Sequence, residues 1–303
     1  MKNQNMAGHL AAILTVLLWG TTFISTKILL TGFSPLEILF FRFVLGIVAL
    51  TAVCPRPIKG TTLRQELTFL AAGLSGVSLY YLFENVALTY TLASNVGVVV
   101  SAAPFFTAIL AKIFLKDEER LKGNFFVGFA VAIAGVSLIS FNGTKMQLNP
   151  LGDLLAAGAA LLWAFYSIFI RKINTYGYSV VQITRKIFVY GMLGILPMIP
   201  FSQFRLGLER FGEPVYVLNL LFLGLGASAM CFATWNFATK KLGVLKSSVY
   251  IYLVPVVTMA TSVLVLHEKI TAMAAAGAAL TLSGLIISEM RTGEKKRAED
   301  CKA

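Results

Sequence analysis

"LYYLFENVALTYTLASNVGVVVSAAPFF", residues 79–106, is a run of apolar, aromatic and small side chains with a carboxylate, Glu84, set inside it and two amides, Asn85 and Asn95, close by. What a carboxylate does there depends on the surrounding solvent, and the rest of the chain identifies that solvent. Of 303 residues, 57% are hydrophobic and 13% charged, with a mean hydropathy of +0.78; a soluble domain carries about 25% charged residues. This is the balance of an integral membrane protein. A bilayer core of about 30 Å needs roughly 20 apolar residues per crossing helix. Ten such runs are present, at 9–29, 35–53, 66–90, 93–115, 122–141, 152–171, 179–200, 216–239, 245–266 and 271–290. Helices are expected because backbone groups in lipid must be satisfied within their own segment. The first run has no persuasive small-residue cleavage site and nine runs follow it, so it reads as a retained helix.

With ten spans both termini share one side. That side receives Lys2, Arg56, Lys59, Arg64, Lys116, Arg120, Lys122, Arg171, Lys172, Lys240, Lys241, Lys246 and five cations of the tail, whereas the other receives Lys145, Arg205, Arg210 and Lys269. Cytoplasmic loops are enriched in Lys and Arg, so both termini are expected in the cytoplasm. The net charge of +12 is then an orientation signal. No basic patch with interleaved aromatics lies outside the spans, which argues against nucleic acid as a partner. Cys54, Cys231 and Cys301 have no metal or redox spacing, and two histidines, His9 and His267, make no His-rich site, so neither metal nor cofactor is expected.

The chain repeats itself. "VLLWG" at 16–20 matches "ALLWA" at 160–164, and "ENVA" at 84–87 matches "WNFA" at 235–238. Asn85 lies 19 residues before Pro104, as Asn236 does before Pro255, and Gly128/Gly135 and Gly277/Gly284 are both seven apart. Each half, 9–141 and 152–290, holds five runs, and an odd number forces the second half to enter the membrane the other way up; a cytoplasmic tail, 291–303, follows. Inverted repeats are characteristic of secondary transporters, with the site at the repeat interface.

"LLWGTTF" (17–23), "FFRF" (40–43), "ALTYTLASN" (87–95), "AAPFFTAILA" (102–111), "LLWAFYS" (161–167), "YIYLVPVVT" (250–258) and "LHE" (266–268) carry a family likeness over nearly the whole chain. The sequence resembles the ten-helix, EamA-type transporters of the drug/metabolite transporter superfamily. The resemblance implies a bacterial inner-membrane carrier, often an exporter of amino acids or related metabolites, with a central cavity lined by spans 1, 3, 4, 6, 8 and 9.

A carboxylate in a membrane helix costs a few kcal/mol unless paired, protonated or hydrated, so Glu84 is expected to face the interior. Tyr80, Glu84, Ala87, Leu88 and Thr91 share its helix face. Lys27 of span 1 and Arg42 of span 2 lie at similar depth and are the expected charge partners. Three readings stand: an ion pair that pins spans 1, 2 and 3, a carboxylate that binds substrate or proton, or a residue nearer the headgroups than the span boundaries suggest. At the repeat-related positions Glu84 faces Trp235 and Asn95 faces Lys246, an asymmetry suited to an asymmetric ligand.

Trp19 and Trp163 sit mid-span, away from the interfacial belts that tryptophan favours. With Tyr80, Tyr166 and Tyr250 they can wall an amphipathic pocket. The expected site is therefore Glu84, Asn85, Asn95, Trp19, Trp163, Tyr80, Tyr166, Tyr250, Asn236 and Trp235, with Arg42, Lys27 and Lys246 as charge partners. The expected activity is secondary transport, by alternating access, of a small organic solute, amino-acid-like or cationic and aromatic, with protons as the candidate coupling ion. No G-x-x-x-x-G-K-[ST] occurs. An organellar-type nucleotide-sugar or phosphate-ester carrier would want several cavity cations and ranks lower. A lipid flippase or scramblase remains an alternative, and an enzyme would need clustered carboxylates or histidines that the sequence lacks.

Overall fold

A computed structural model of the chain describes residues 2–91, 93–115, 123–140, 149–202, 204–266 and 271–289. These residues are helical, and no strand occurs among them. The helices are α1 (Lys2–Leu29), α2 (Pro35–Val53), α3 (Leu63–Gly73), α4 (Tyr80–Tyr90), α5 (Ala93–Val100), α6 (Ala103–Phe114), α7 (Gly123–Ser140), α8 (Pro150–Ile173) and α9 (Val180–Ile195), then α10 (Pro214–Leu221), α11 (Cys231–Leu242), α12 (Val244–Val249), α13 (Leu253–Leu266) and α14 (Ala272–Glu289). Among the described residues seven helical stretches are long and apolar enough to cross a membrane: Met6–Leu29, Pro35–Val53, Leu63–Tyr90, Pro150–Asn174, Val180–Phe201, Pro214–Leu242 and Val244–Thr261. The other three expected spans fall on shorter apolar helices, Ala103–Phe114, Gly123–Leu138 and Ala275–Ser288.

Local chemistry sets the helix starts. Ser34 caps α2 with a capping box: its Oγ accepts from Glu37 N and the Glu37 carboxylate accepts from Ser34 N, while Pro35 takes the first helical position, where its missing N–H costs nothing. Thr62 and Gln65 repeat the device at α3. Asn149 followed by Pro150 opens α8. Two long helices widen into π-helix: Leu74–Leu79 joins α3 to α4, and Phe222–Met230 joins α10 to α11. Two others break. The chain turns at Ser101–Ala102 just before Pro104, and a 3-10 turn, Tyr250–Tyr252, stands before Pro255, so each proline sits near the start of a new helix rather than kinking a continuous one.

α7 and α14 pack chiefly on each other. A Cβ on Gly135 would lie 2.5 Å from the Gly277 carbonyl, and one on Gly284 2.6 Å from the Gly128 carbonyl, so the glycines spaced by seven allow backbone-to-backbone contact.

Two polar ties fasten α9 and the segment after it to earlier elements, one at each end of the bundle. At one end Glu37 accepts from Arg210 Nη1 (2.8 Å) and from Arg205 N (2.6 Å). Arg210 also donates to the carbonyls of Gly32 (2.7 Å) and Arg205 (2.6 Å) and lies 4.2 Å above the Phe33 ring. Gly207, at φ +46, supplies the left-handed turn that brings this loop back, and a Cβ there would meet the guanidinium. At the other end Lys186 Nζ lies 2.6 Å from Glu66, which also accepts from Tyr190 and Thr61, and Arg185 donates to the carbonyls of Cys54 and Arg56.

Candidate functional site

A pocket of about 510 Å³, a volume that includes its open side, lies between α1, α4, α5, α6, α8 and α13. Its wall is Trp19, Thr22 and Phe23 from α1, Tyr80, Tyr81 and Glu84 from α4, Gly97, Val100, Ser101 and Ala103 at the α5–α6 break, Trp163 from α8, and Ile251 and Val254 just before Pro255. The spacings follow helix geometry: 19, 22 and 23, or 97, 100 and 101, are one face of one turn. These helices belong to spans 1, 3, 4, 6 and 9. Span 8, also expected at the cavity, stands one layer behind it through Trp235 and Phe232.

The wall is aromatic with a single carboxylate. Trp19 and Trp163 meet edge-to-face with ring centroids 5.1 Å apart; Tyr80 lies 5.1 Å from Trp163 and 4.7 Å from Tyr81. Such pairs hold one another in place and add about 0.5–1.5 kcal/mol each beyond their burial. Trp19 is further fixed by Nε1 donating to the Ala227 carbonyl at 3.1 Å. Glu84 is only 3% exposed, and the Tyr80 hydroxyl, one helical turn earlier, lies beside it. Trp163 Nε1 is buried with no partner among the described residues.

Arg42 is buried, but it makes no ion pair with Glu84 among the described residues and acts on it only through space. Its guanidinium lies 4.1 Å from the Tyr81 ring centroid and 5.4 Å from that of Phe43, and Nε donates to Ser228 Oγ at 3.0 Å. Stacking on aromatic faces replaces the expected carboxylate. Lys27, the other expected partner, is exposed: near the end of α1 its long side chain carries the ammonium outward, away from the buried Glu84.

Of the expected site residues, the structure gathers Trp19, Tyr80, Glu84 and Trp163 on the cavity wall. Trp235 and Tyr166 back that wall, at 5.1 Å from Trp19 and 5.0 Å from Trp163 respectively. Asn236 ties the backing layer together, accepting from the Tyr166 hydroxyl at 2.5 Å and donating to Thr184 at 3.0 Å. Asn85 binds the Pro35 carbonyl at 3.2 Å, joining α4 to α2. Tyr250 bonds His9 Nδ1 at 2.6 Å, and neither Tyr250 nor the half-buried Lys246 lines the cavity. The Asn95 side chain lies outside the described residues. The residues that sequence reasoning passed over are Tyr81, Thr22, Phe23, Gly97, Val100, Ser101, Ala103, Ile251 and Val254; the i, i+3 and i+4 neighbours of Trp19 and Glu84 were the available signal for the first three.

An all-helical membrane protein that encloses one carboxylate in an aromatic cavity is built to handle a solute, and similarity to known proteins gives the class a family. The model of the EamA-like transporter family matches residues 6–141 and again 150–290, and the chain belongs to that family. It is 28% identical over 91% of its length, and 93% of the other's, to a probable amino-acid metabolite efflux pump of Escherichia coli K12. It is 25% identical to a probable terminal-alkyne amino-acid exporter of Streptantibioticus cattleyicolor, covering 95% of each chain. An uncharacterized transporter of Archaeoglobus fulgidus is 29% identical over 94% of this chain and 98% of its own. One protein of known crystal structure shares the fold, with a TM-score of 0.71 at 22% identity, over 95% of this chain and 97% of that one.

Proposed function

We propose that the protein is a ten-helix secondary carrier of the bacterial inner membrane, with both termini cytoplasmic, that exports a small organic solute by alternating access around the Glu84 cavity. The observation that carries this is the cavity itself: a buried carboxylate among aromatic rings, walled by helices from both stretches that the family model matches. The names of the amino-acid efflux relatives support export and an amino-acid-like or cationic, aromatic solute. Among the described residues no cation lines the cavity, which argues against a phosphate-ester carrier.

Two features support a repeat of 9–141 and 152–290, whose odd number of spans per half is the reason to read it as inverted. At the offset that superposes Pro104 on Pro255, the π-helix Leu74–Leu79 falls within Phe222–Met230, and the break before α6 falls on the 3-10 turn before α13. Similar irregularities at matched positions are what a duplicated unit retains. The proton is the proposed coupling ion, carried by Glu84.

The test is transport by purified protein in proteoliposomes under an imposed pH gradient, with Glu84→Gln as the variant. The change keeps shape and removes charge. Stable protein with strongly reduced, pH-insensitive transport is expected. Unchanged transport with unchanged pH dependence would remove Glu84 from the mechanism. A protein that fails to fold, rescued by adding Arg42→Gln, would assign Glu84 to structure instead.

A further inference from the structure

Resting on the reading of this cavity as the solute site, we infer that its preferred occupant is an organic amine, a cation with an apolar or aromatic body, rather than a zwitterionic amino acid. The argument is a count of what each end of an amino acid would meet. The ammonium would meet Glu84 and the faces of Trp19, Trp163 and Tyr80, all of which attract cations. The α-carboxylate would have to be buried in the same cavity, and a buried carboxylate requires a cation or several donors.

Neither is on offer among the described lining residues. The nearest buried cation, Arg42, does not line the cavity: it lies on the Tyr81 ring and donates to Ser228, with Nη2 unpartnered among the described residues. Thr22 and Ser101 donate to the carbonyls of Trp19 (2.7 Å) and Gly97 (2.6 Å), and the Trp19 indole to Ala227. The Tyr80 hydroxyl lies beside Glu84. What is left among the described lining side chains is neutral, the Tyr81 hydroxyl and the Trp163 indole, whose Nε1 is buried with no partner among the described residues. The negative faces of the rings repel a carboxylate where they attract an ammonium.

The experiment uses the full-length protein in detergent and reads thermal stabilisation across matched ligands. Tryptamine is compared with L-tryptophan and isoamylamine with L-leucine; tryptophol is the neutral analogue and indole-3-propionate the anionic one. Each amine is expected to bind at least about tenfold more tightly than its amino acid, tryptophol weakly, and the anion not at all. In Glu84→Gln the advantage of tryptamine over tryptophol is expected to vanish; should that variant not fold, the ratio in the unmodified protein decides. An amino acid that binds as tightly as its amine, or binding of the anion, would overturn the inference while leaving the carrier reading intact. Absence of stabilisation by any of the ligands would overturn the cavity as a solute site and the inference with it.

Discussion

Replacing Arg210 by Gln should unfasten one end of the bundle. The guanidinium donates to Glu37 Oε2 at 2.8 Å and to the carbonyls of Gly32 and Arg205 at 2.7 and 2.6 Å, and lies over Phe33. Its side chain is 18% exposed and that of Glu37 only 3%, so the cost falls mainly on the carboxylate. Breaking a fully buried pair costs about 3–5 kcal/mol. Here the loss is smaller, because Glu37 keeps two backbone donors, Ser34 N and Arg205 N. One lost charge-assisted hydrogen bond costs about 1.5–3 kcal/mol, and the freed carbonyls are near water, so about 2–3 kcal/mol is expected. At roughly 2–4 °C per kcal/mol for a large domain, the midpoint should fall by about 4–12 °C in thermal unfolding followed by tryptophan fluorescence in detergent. Arg205→Gln is the control, since only its backbone, the N–H and the carbonyl, takes part in the tie. Adding Glu37→Gln to Arg210→Gln should recover part of the loss, because glutamine preserves the capping box while removing the stranded charge. A midpoint for Arg210→Gln no lower than that of Arg205→Gln would refute the reasoning.

At the other end Glu66→Gln should cost less, about 1 kcal/mol or below, because Glu66 and Lys186 are 29% and 17% exposed and water screens them; the same melt measures it. Gly76→Ala would put a Cβ 2.3 Å from Tyr166 Cδ2, whose ring is buried and anchored to Asn236, so a loss of about 1–3 kcal/mol is expected. Because Tyr166 backs Trp163, ligand stabilisation should fall as well. With Cys54 and Cys231 replaced, Cys301 should resist impermeant thiol reagents applied to intact cells and react after permeabilisation; labelling from outside would reverse the proposed orientation.

Hydropathy made the helical membrane architecture legible, because lipid leaves few other ways to satisfy a backbone. It also marked Glu84 as buried, since a carboxylate in a membrane helix has to leave the lipid face. Rotation about the helix axis was much less legible. In a helix that is apolar all round, nothing in composition says whether Trp235 reaches the cavity or stands behind it, and the structure puts it behind. Depth alone paired Lys27 with Glu84, but depth does not give direction, and Lys27 points outward. Arg42 was expected to need a carboxylate; the Tyr81 face that holds it is invisible to a search for opposite charges. The π-helix before Tyr80 was equally hidden, because an α-helical wheel drawn across Leu74–Leu79 sends the two sides of α3 and α4 out of phase.

The paired ties at the two ends have a mechanical consequence. Both join elements within 6–141, namely the α1–α2 turn, the α2–α3 loop and α3, to α9 and the loop that follows it, within 150–290. While both hold, α2, α3 and α9 form one strut running the depth of the bundle. Opening the molecule along the boundary between its two sequence halves would snap one tie or the other. A motion that spared both would leave the strut whole and turn the α7–α14 pair, zipped together through its glycines, as a separate plate. The seam along which the chain repeats is thus the one that both ties bridge.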